Sequence, residues 1–552
     1  MPKDTSTDTV DPSFFERRHP DYSGKLAHWN FLEATYYGGR DWFKKNVHKY
    51  FREGSGEYSD RIERAYRFNH TREIVDLVTK YVYKGDIIRK SDAPKFIDDF
   101  WKKTTKGGRD IDAFMRQVSQ MTSVFGQPYI VMDSTITLKE GEKLSQAEVE
   151  RRGGRVYAYL VKPQDALDMS FDAHGELNWI IFSEVSRQDT DFFSAQKTVT
   201  RYRLWTRKSW YLFEIEQGEA KTDGKPAIKV VTPDVTPMVT PSGAANVNKN
   251  TSKLKVVLKG RGDHNLGEVP VIVPRERHSD TSYSAPGLID DTAYLDRAVA
   301  NYLSNLDAII QDQTFSTLVI PSQALNSADS GESVKKKVIE LGTNRVVTYD
   351  AEAGIAPQYI SPDPGQVAII LGVITKIITE IYHSVGMAGE RTKSDNAAGI
   401  DNSSGVAKAY DFDRMNTMLK SKADTLQTVE NDMVRLAHLW FGQKPPEDRD
   451  FVRYPDDFDT RNLYDEFDVA NRLALLDAPD GVRQHQMMTL IEKLFPNLTD
   501  ELKSEIEKQI EDWPPEEAVS IRAPSRLQDR NVPQEENRQG QAGGADNPKD
   551  EG

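Results

Sequence analysis

The chain contains no cysteine among its 552 residues. Disulfides, thiolate metal sites and cysteine nucleophiles are therefore excluded, and this composition fits an intracellular protein. The opening residues, Met-Pro-Lys-Asp-Thr-Ser, lack the apolar core of a signal peptide. The longest uninterrupted apolar run is about nine residues, well short of a membrane span. We therefore expect no membrane partner.

Catalytic signatures are also missing. The chain has no GxxxxGK[ST] phosphate loop, no HExxH pair and no GxSxG elbow. Its ten histidines are scattered, and His70 and His383 are interpreted as ordinary surface or interface residues. The pairs Asp98-Asp99 and Asp456-Asp457 could hold Mg²⁺, but such pairs arise by chance among 86 acidic residues. We expect a structural protein without cofactor or metal, and not an enzyme.

Net positive charge is absent as well. The formal net charge is −14, which argues against a protein that grips nucleic acid through a basic surface. It does not argue against a protein past which DNA slides, because a surface of the same sign as the phosphates repels them.

The first half of the chain predicts an α+β body over residues 25–283. Helical patterns come first, at residues 58–83, 93–103 and 111–124. From residue 126 onward, segments rich in β-branched and aromatic residues predict strands. These segments are residues 129–132, 156–161, 179–185, 199–205, 210–215, 254–258 and 269–273. A long polar excursion at 217–253 interrupts them.

Two helices of matching length follow, at residues 286–312 and 364–383, each roughly 30 to 40 Å long at 1.5 Å per residue. Between them lie about fifty residues with strand patterns at 315–320, 345–349 and 358–360. A chain that leaves along one helix and returns along another of equal length forms a stalk with a small module at its tip.

The second of these helices is apolar on almost every face. Its polar positions, Gly372, Lys376, Thr379 and His383, recur at helical spacing and form one narrow stripe. Such a helix is normally buried on most sides, and its partner, with Ile289, Leu295, Ala298, Tyr302, Leu306 and Ile309 on one side, covers one flank only. Copies of the same protein could supply the missing cover, or the helix could be the core of an ordinary large domain. The candidates for packing between subunits are Ile370, Ile374, Ile377, Ile378 and Ile381.

The last part of the chain predicts a polar mobile loop and one long helix. The loop covers residues 387–403, and the helix 404–441 has an apolar stripe from Met415 to Trp440. Three shorter helices are expected at 463–476, 482–494 and 500–513. The final residues, 523–552, have the composition of a disordered tail.

Three segments, in this order, carry a family resemblance: HPDYSGKLAHWNFLEATYYGGRDWF, GRGDHNLGEVPVIVPRERHSD and SGVAKAYDFDRMNTMLKSKADTLQTVENDMVRL. With the helix–insert–helix–loop–helix plan, they make residues 25–515 resemble the portal, or head-to-tail connector, proteins of tailed bacteriophages. The excursion at 217–253 and the tail beyond Ala523 depart from the family pattern. By position, the resemblance implies a flexible N-terminal arm (1–24), wing (25–283), first stem helix (284–312), clip (313–363), second stem helix (364–386), tunnel loop (387–403), long wing helix and return (404–463), crown (464–522) and disordered tail (523–552).

The resemblance also implies a function. Such proteins form a ring, usually dodecameric, at one capsid vertex of the virion after assembly in the host cytoplasm. The ring is the channel for packaging and ejection of double-stranded DNA. Its implied partners are copies of itself, the terminase large subunit, the head-tail adaptor, and the major capsid and scaffold proteins.

Cations in such a channel could give brief contacts to DNA. The candidates are Arg391 and Lys393 in the loop and Lys376 on the polar stripe; a solvated loop that touches nothing is the alternative for the first two. Lys335, Lys336 and Lys337 in the clip either face the packaging motor, which is the terminase, and the adaptor, or they form a solvent-exposed helix face. Two rival interpretations remain: another phage assembly protein, such as a scaffold or adaptor without a channel, and a metal-dependent nuclease using clustered carboxylates.

Overall fold

The computed structural model describes residues 9–10, 12–51, 53–136, 151, 154–188, 197–217, 254–264, 266–277, 283–314, 317–321, 346–349, 358–360, 365–387, 405–445, 450–456, 458, 479–494 and 500–511. Helices and strands are both abundant, which confirms the α+β class. The chain divides into a first unit, Met1–Phe458, and a second unit, Asp459–Gly552.

Six helices open the first unit. Apolar residues at helical spacing place Trp29 and Leu32 in the core, and Gly38, at a φ of 69° that favours glycine, follows the first helix. The stretch 58–83, which we predicted as one amphipathic segment, is two helices, because Asn69 caps a new helix by accepting a bond from the Arg72 amide. The six are α1 (Tyr22–Tyr37), α2 (Arg40–Asn46), α3 (Ser55–Arg64), α4 (His70–Val82), α5 (Lys95–Lys102) and α6 (Ile111–Phe125).

Six of the fourteen strands that the structure describes form one antiparallel sheet in the order β1-β9-β8-β7-β6-β5. The predicted strands are confirmed, most of them longer than expected, and β5 is an addition that the sequence pattern did not indicate. Trp205 and Phe182, which belong to two of its strands, are fully buried in the core that the sheet covers. Its strands are β1 (Thr9–Val10), β5 (Ala166–Phe171), β6 (Leu177–Gln188), β7 (Lys197–Thr206), β8 (Ser209–Gln217) and β9 (Leu254–Asp263).

Two smaller sheets complete the body. One has the order β10-β3-β4, and a two-stranded pair joins β14 to β2. Asn431 holds the β14 strand of this two-stranded sheet in place. Its side-chain NH2 donates to the Val452 carbonyl, and its side-chain oxygen accepts from the Val452 amide. These strands are β2 (Ile88–Arg89), β3 (Tyr129–Ser134), β4 (Val156–Val161), β10 (Val271–Ile272) and β14 (Val452–Arg453).

The N-terminal arm, predicted to be flexible over residues 1–24, is held against the sheet where the structure describes it. Thr9 and Val10 pair with Val257 and Val256 at the edge of β9. Phe15 is buried at 3% exposure and stacks on a ring of the sheet. Backbone pairing and one buried ring thus hold these described residues against the sheet, and the flexibility of the arm as a whole stays a prediction.

The predicted order of helix, small sheet, helix and long helix is confirmed. Helix α7 (Thr292–Thr314) begins six residues later than predicted, and α8 (Gly365–Ser384) and α9 (Gly405–Trp440) match within one or two residues. Helices α7 and α8 pack against each other. Between them in the chain lie β11 (Thr317–Pro321), β12 (Val346–Tyr349) and β13 (Gln358–Ile360), which form a sheet in the order β12-β11-β13.

In the second unit, the structure describes two of the three expected helices. They are α10 (Asp480–Leu494) and α11 (Asp500–Glu511), which contact each other. The helix expected at 463–476 lies outside the described residues.

Candidate subunit interface

Helix α8 is the most apolar helix of the chain that the structure describes, and α7 covers only part of it. Ile374, Ile381 and Tyr382 are its buried residues. They join a core that includes Val299 and Leu303 of α7. Only 17% of the most apolar 18-residue window of α8 is buried. The expectation that the chain's own helices leave this one uncovered is confirmed for the described residues.

The five isoleucines predicted to pack between subunits divide into two groups. Ile370, Ile377 and Ile378 are half-buried at the border of the core. Ile374 and Ile381 are 5% and 0% exposed, so they already pack inside one chain. Because these two are sealed by their own chain, they are not available to a neighbour.

The residues that are available lie elsewhere on the helix. Ile369 is 69% exposed and Leu371 is 46% exposed. Two positions apart on a helix, these side chains point to different sides of it, so α8 exposes large aliphatic groups to solvent on more than one side. The sequence named neither residue as a candidate, because a helix that is apolar all round does not indicate which of its sides α7 covers.

The C-terminal end of α8 is anchored by polar contacts to α4. The Tyr382 hydroxyl donates to Glu73 Oε2 at 2.5 Å, and His70 Nδ1 lies 3.2 Å from the same hydroxyl. His70 is 1% exposed, so its interpretation as a surface or interface residue was wrong: its ring packs against Tyr382 inside the chain. His383 is exposed, and Arg414 of α9 lies 3.4 Å from its Nε2. One end of α8 is therefore fixed to the body.

Helix α8 is long and apolar enough to cross a membrane. Among the described residues, one helix meets this criterion of length and composition. The longest uninterrupted apolar run did not indicate a membrane span, because a few polar residues interrupt the apolar residues of this helix. Lys376 and Glu380 are both exposed on it. A soluble helix that is buried by partners meets the same criterion of length and composition.

The predicted DNA contacts are only partly within the described structure. Lys376 is exposed on α8. Arg391 and Lys393 lie outside the described residues, as do Lys335, Lys336 and Lys337.

The acidic pairs considered for Mg²⁺ do not form a site in the part of the chain that the structure describes. Asp98 lies 2.6 Å from the Lys102 ammonium, and Asp456 lies 3.7 Å from Arg453. Among the described residues, no group of three or more histidine, aspartate or glutamate side chains is placed so that it could hold a metal ion. Asp98 and Asp456 therefore serve as partners for neighbouring cations, and Asp457 lies outside the described residues.

A buried ion pair on α9 escaped the sequence analysis. Lys422 pairs with Glu276 where the long helix meets α6. A signal for it exists, because Lys422 falls seven residues after Met415 and four before Leu426 on the apolar stripe. A charged residue on such a stripe indicates a buried partner.

No protein-family model matches this chain, and no curated protein matches it. Among solved structures, a chain from the neck of a native gene transfer agent particle, computed with C12 symmetry, is 9% identical, with a TM-score of 0.38 over 85% of this chain and 92% of that chain. A chain from the neck of an empty particle, computed with C6 symmetry, is 9% identical, with a TM-score of 0.35 over 74% of this chain and 89% of that one. A chain from the virion of the native particle is also 9% identical, with a TM-score of 0.34 over 84% and 94%. Identities and TM-scores this low carry no inference about function, which we therefore derive from the chain's own residues.

Proposed function

We propose that this chain assembles with copies of itself into a closed ring in which neighbouring chains cover helix α8. The observation that carries the proposal is the exposure of Ile369 and Leu371 on a helix whose apolar window is 17% buried within one chain. Burying such side chains contributes about 1.5 to 3 kcal/mol each. Repeated at every subunit contact, that contribution favours a closed ring, which leaves no terminal subunit with a bare helix.

The ring we propose is the portal of a tailed-phage-like particle. Support comes from the resemblance of residues 25–515 and from the order of α7, small sheet, α8 and α9 in the chain. In this role the chain sits at one capsid vertex beside the major capsid and scaffold proteins. It conducts double-stranded DNA during packaging and ejection, and binds first the terminase large subunit and then the head-tail adaptor. It needs no catalytic residue or cofactor, because the terminase supplies the work.

Imaging of the purified protein tests the ring. We expect negative-stain images of rings with an axial hole and a solution mass many times that of the 62.5 kDa chain. A stable monomer or a filament would instead favour a scaffold or adaptor. Mg²⁺-dependent cleavage of plasmid DNA, abolished by mutating an acidic pair, would favour the nuclease.

A second candidate follows from the length and composition of α8. If the helix inserts into lipid, the purified protein should float with phosphatidylcholine vesicles in a density gradient. We expect the protein to remain at the bottom of the gradient, because copies of the chain cover the helix before lipid can.

DNA contact is proposed for Lys376, Arg391 and Lys393, since a few cations on a negatively charged ring would hold DNA weakly and release it. Deleting residues 390–400, or replacing Lys376 with Ala, should leave ring assembly intact. Either change should reduce the length of the packaged genome or the yield of particles. Unchanged genome length and particle yield would argue against these contacts. Replacing Lys335, Lys336 and Lys337 with Ala should weaken binding of terminase or adaptor, and unchanged binding would identify them as a solvated face.

A further inference from the structure

The buried ion pair between Lys422 and Glu276 lies where three parts of the chain meet. Lys422 is on α9, and its side chain is 2% exposed; Glu276 follows β10, and its side chain is 6% exposed. The Lys422 ammonium pairs with the Glu276 carboxylate and donates to Ser123 Oγ of α6 at 3.0 Å. Burial lowers the pKa of Lys422, and the negative charge of Glu276 opposes that effect.

The end of α6 is bound from two directions at this meeting point. The Glu276 amide donates to the Gly126 carbonyl at 2.8 Å, and the Leu288 amide donates to the Ser123 carbonyl at 2.9 Å. A helix end leaves carbonyls without partners inside the helix, and these two bonds satisfy two of them. Leu288 lies in residues 283–291, which lead directly into α7; we call residues 283–291 the base segment.

The base segment fits on α6 very closely. Gly126 has a φ of 76°, and a Cβ atom there would lie 2.0 Å from the Ala285 carbonyl oxygen. A Cβ atom on Gly287 would lie 2.9 Å from the Val124 carbonyl oxygen. Two backbones this close can adopt few alternative arrangements, so the position of the base segment also sets where α7 begins.

The apolar residues of α9 at this joint make no directional contact. Leu419 and Leu426, on either side of Lys422, are fully buried in the main core. Apolar contacts are non-directional, and a buried ion pair is often no more stabilising than apolar residues of similar size. A buried ion pair can, however, favour one arrangement of the segments that carry it. Every other arrangement would leave one charge buried without its partner.

We infer that the Lys422–Glu276 pair is a latch that specifies the position of the base segment on α6 and so couples the long helix α9 to the start of α7. The latch is a property of the single chain. It holds whether or not the chain forms a ring.

The test replaces both charges with apolar side chains of similar length, Lys422→Met with Glu276→Leu, in the full-length chain. Hydrogen–deuterium exchange measures the opening of the joint at the backbone amide of position 276 and at the Leu288 amide. We expect exchange at both amides to be faster by about tenfold or more, with the melting temperature unchanged or higher. Lys420→Met is the matched control, because Lys420 is an exposed lysine on the same helix, and it should change neither quantity.

Two results would overturn the latch. Unchanged exchange at both amides in the double variant would mean that apolar packing holds the joint equally well. Faster exchange throughout α6 and α9, together with a lower melting temperature, would make the pair a general stabiliser. Because the double variant leaves no buried charge unpaired, misfolding of a Lys422→Met single variant does not affect the test.

Discussion

Ile374 and Ile369 lie five residues apart on α8, yet Ile374 is 5% exposed and Ile369 is 69% exposed. One side of the helix is sealed against α7 while another meets solvent, although both carry the same side chain. The single chain therefore uses one of these isoleucines for its own core and leaves the other exposed.

This difference predicts separable effects of a buried charge. Ile369→Asp should leave the folded chain intact, since exposed substitutions change stability by about 0.5 kcal/mol or less. It should nevertheless abolish the ring, because an unpaired carboxylate at each subunit contact costs several kcal/mol. Ile374→Asp should damage both fold and ring. Light scattering gives the assembly mass and circular dichroism the melting temperature.

Thr379→Asp is the control for that experiment, because Thr379 is exposed on the polar stripe of the same helix. It should form normal rings. Normal rings from Ile369→Asp would contradict the proposed contact, and if rings are absent from the unmodified protein too, the proposal itself fails. Ile378→Asp, at a half-buried position, should also impair assembly.

A second prediction concerns Arg67 and Asp296, which pair at 3.4 Å with side-chain exposures of 5% and 0%. Arg67→Met should cost about 3–5 kcal/mol of unfolding free energy in urea, because it leaves the Asp296 carboxylate buried without its cation. Arg67→Met with Asp296→Leu should recover much of that loss.

Arg64→Met is the matched control for Arg67→Met. Arg64 is 49% exposed and lies 3.7 Å from Asp307, so its loss should cost about 1 kcal/mol or less. Equal costs for Arg64→Met and Arg67→Met would show that burial of the Arg67 pair has no energetic consequence.

The sequence predicted the elements of this fold better than it predicted their contacts. Periodicity identified α9 because its apolar stripe, Met415 to Leu436, is the face that the structure buries. It did not identify β5, Ala166–Phe171, a strand of only six residues in which Asp168, between Leu167 and Met169, is buried as well. The local sequence pattern indicates which apolar residues are buried. It does not indicate that a polar residue among them is buried too.

Pairings between distant segments could not be predicted for a different reason. Arg67 and Asp296 meet across 229 positions of sequence, and nothing near either residue indicates the other. The side of α8 that meets α7 was equally hidden, because Ile369 and Ile374 are chemically identical. Only the three-dimensional arrangement separates the interface candidates from the core.

A third prediction uses two adjacent phenylalanines in the N-terminal arm. Phe15 is 3% exposed and stacks on Tyr202 at 4.8 Å, whereas Phe14 is 49% exposed. Phe15→Ala should remove about 3 to 5 kcal/mol of stabilisation and release the arm. Limited trypsin digestion measures the release of the arm, because Arg17 and Arg18 lie in it. Cleavage at these residues should become much faster in the variant. Phe14→Ala should leave the cleavage rate close to normal, and equal rates for the two variants would mean that Phe15 does not hold the arm.

The last prediction concerns acid stability. Burial lowers the pKa of His264 from 6.5 to about 4, although a hydrogen bond to the Thr206 carbonyl and the charge of Asp263 oppose the shift. A histidine whose pKa is lower in the folded state stabilises the fold above pH 6.5. As the pH falls from 6.5 toward 4, the unfolded chain takes up a proton that the folded chain does not.

A shift of this size corresponds to about 3 kcal/mol lost between pH 6.5 and 4. His264→Phe should keep the ring packing against Trp205 and Trp440, which lie 5.8 Å and 6.0 Å from the His264 ring. Urea unfolding of both proteins at pH 7 and pH 4.5 gives the comparison. The variant should start less stable, because it loses the Thr206 bond, and should lose less stability on acidification. Parallel losses in the two proteins would assign the acid sensitivity to carboxylates elsewhere in the chain.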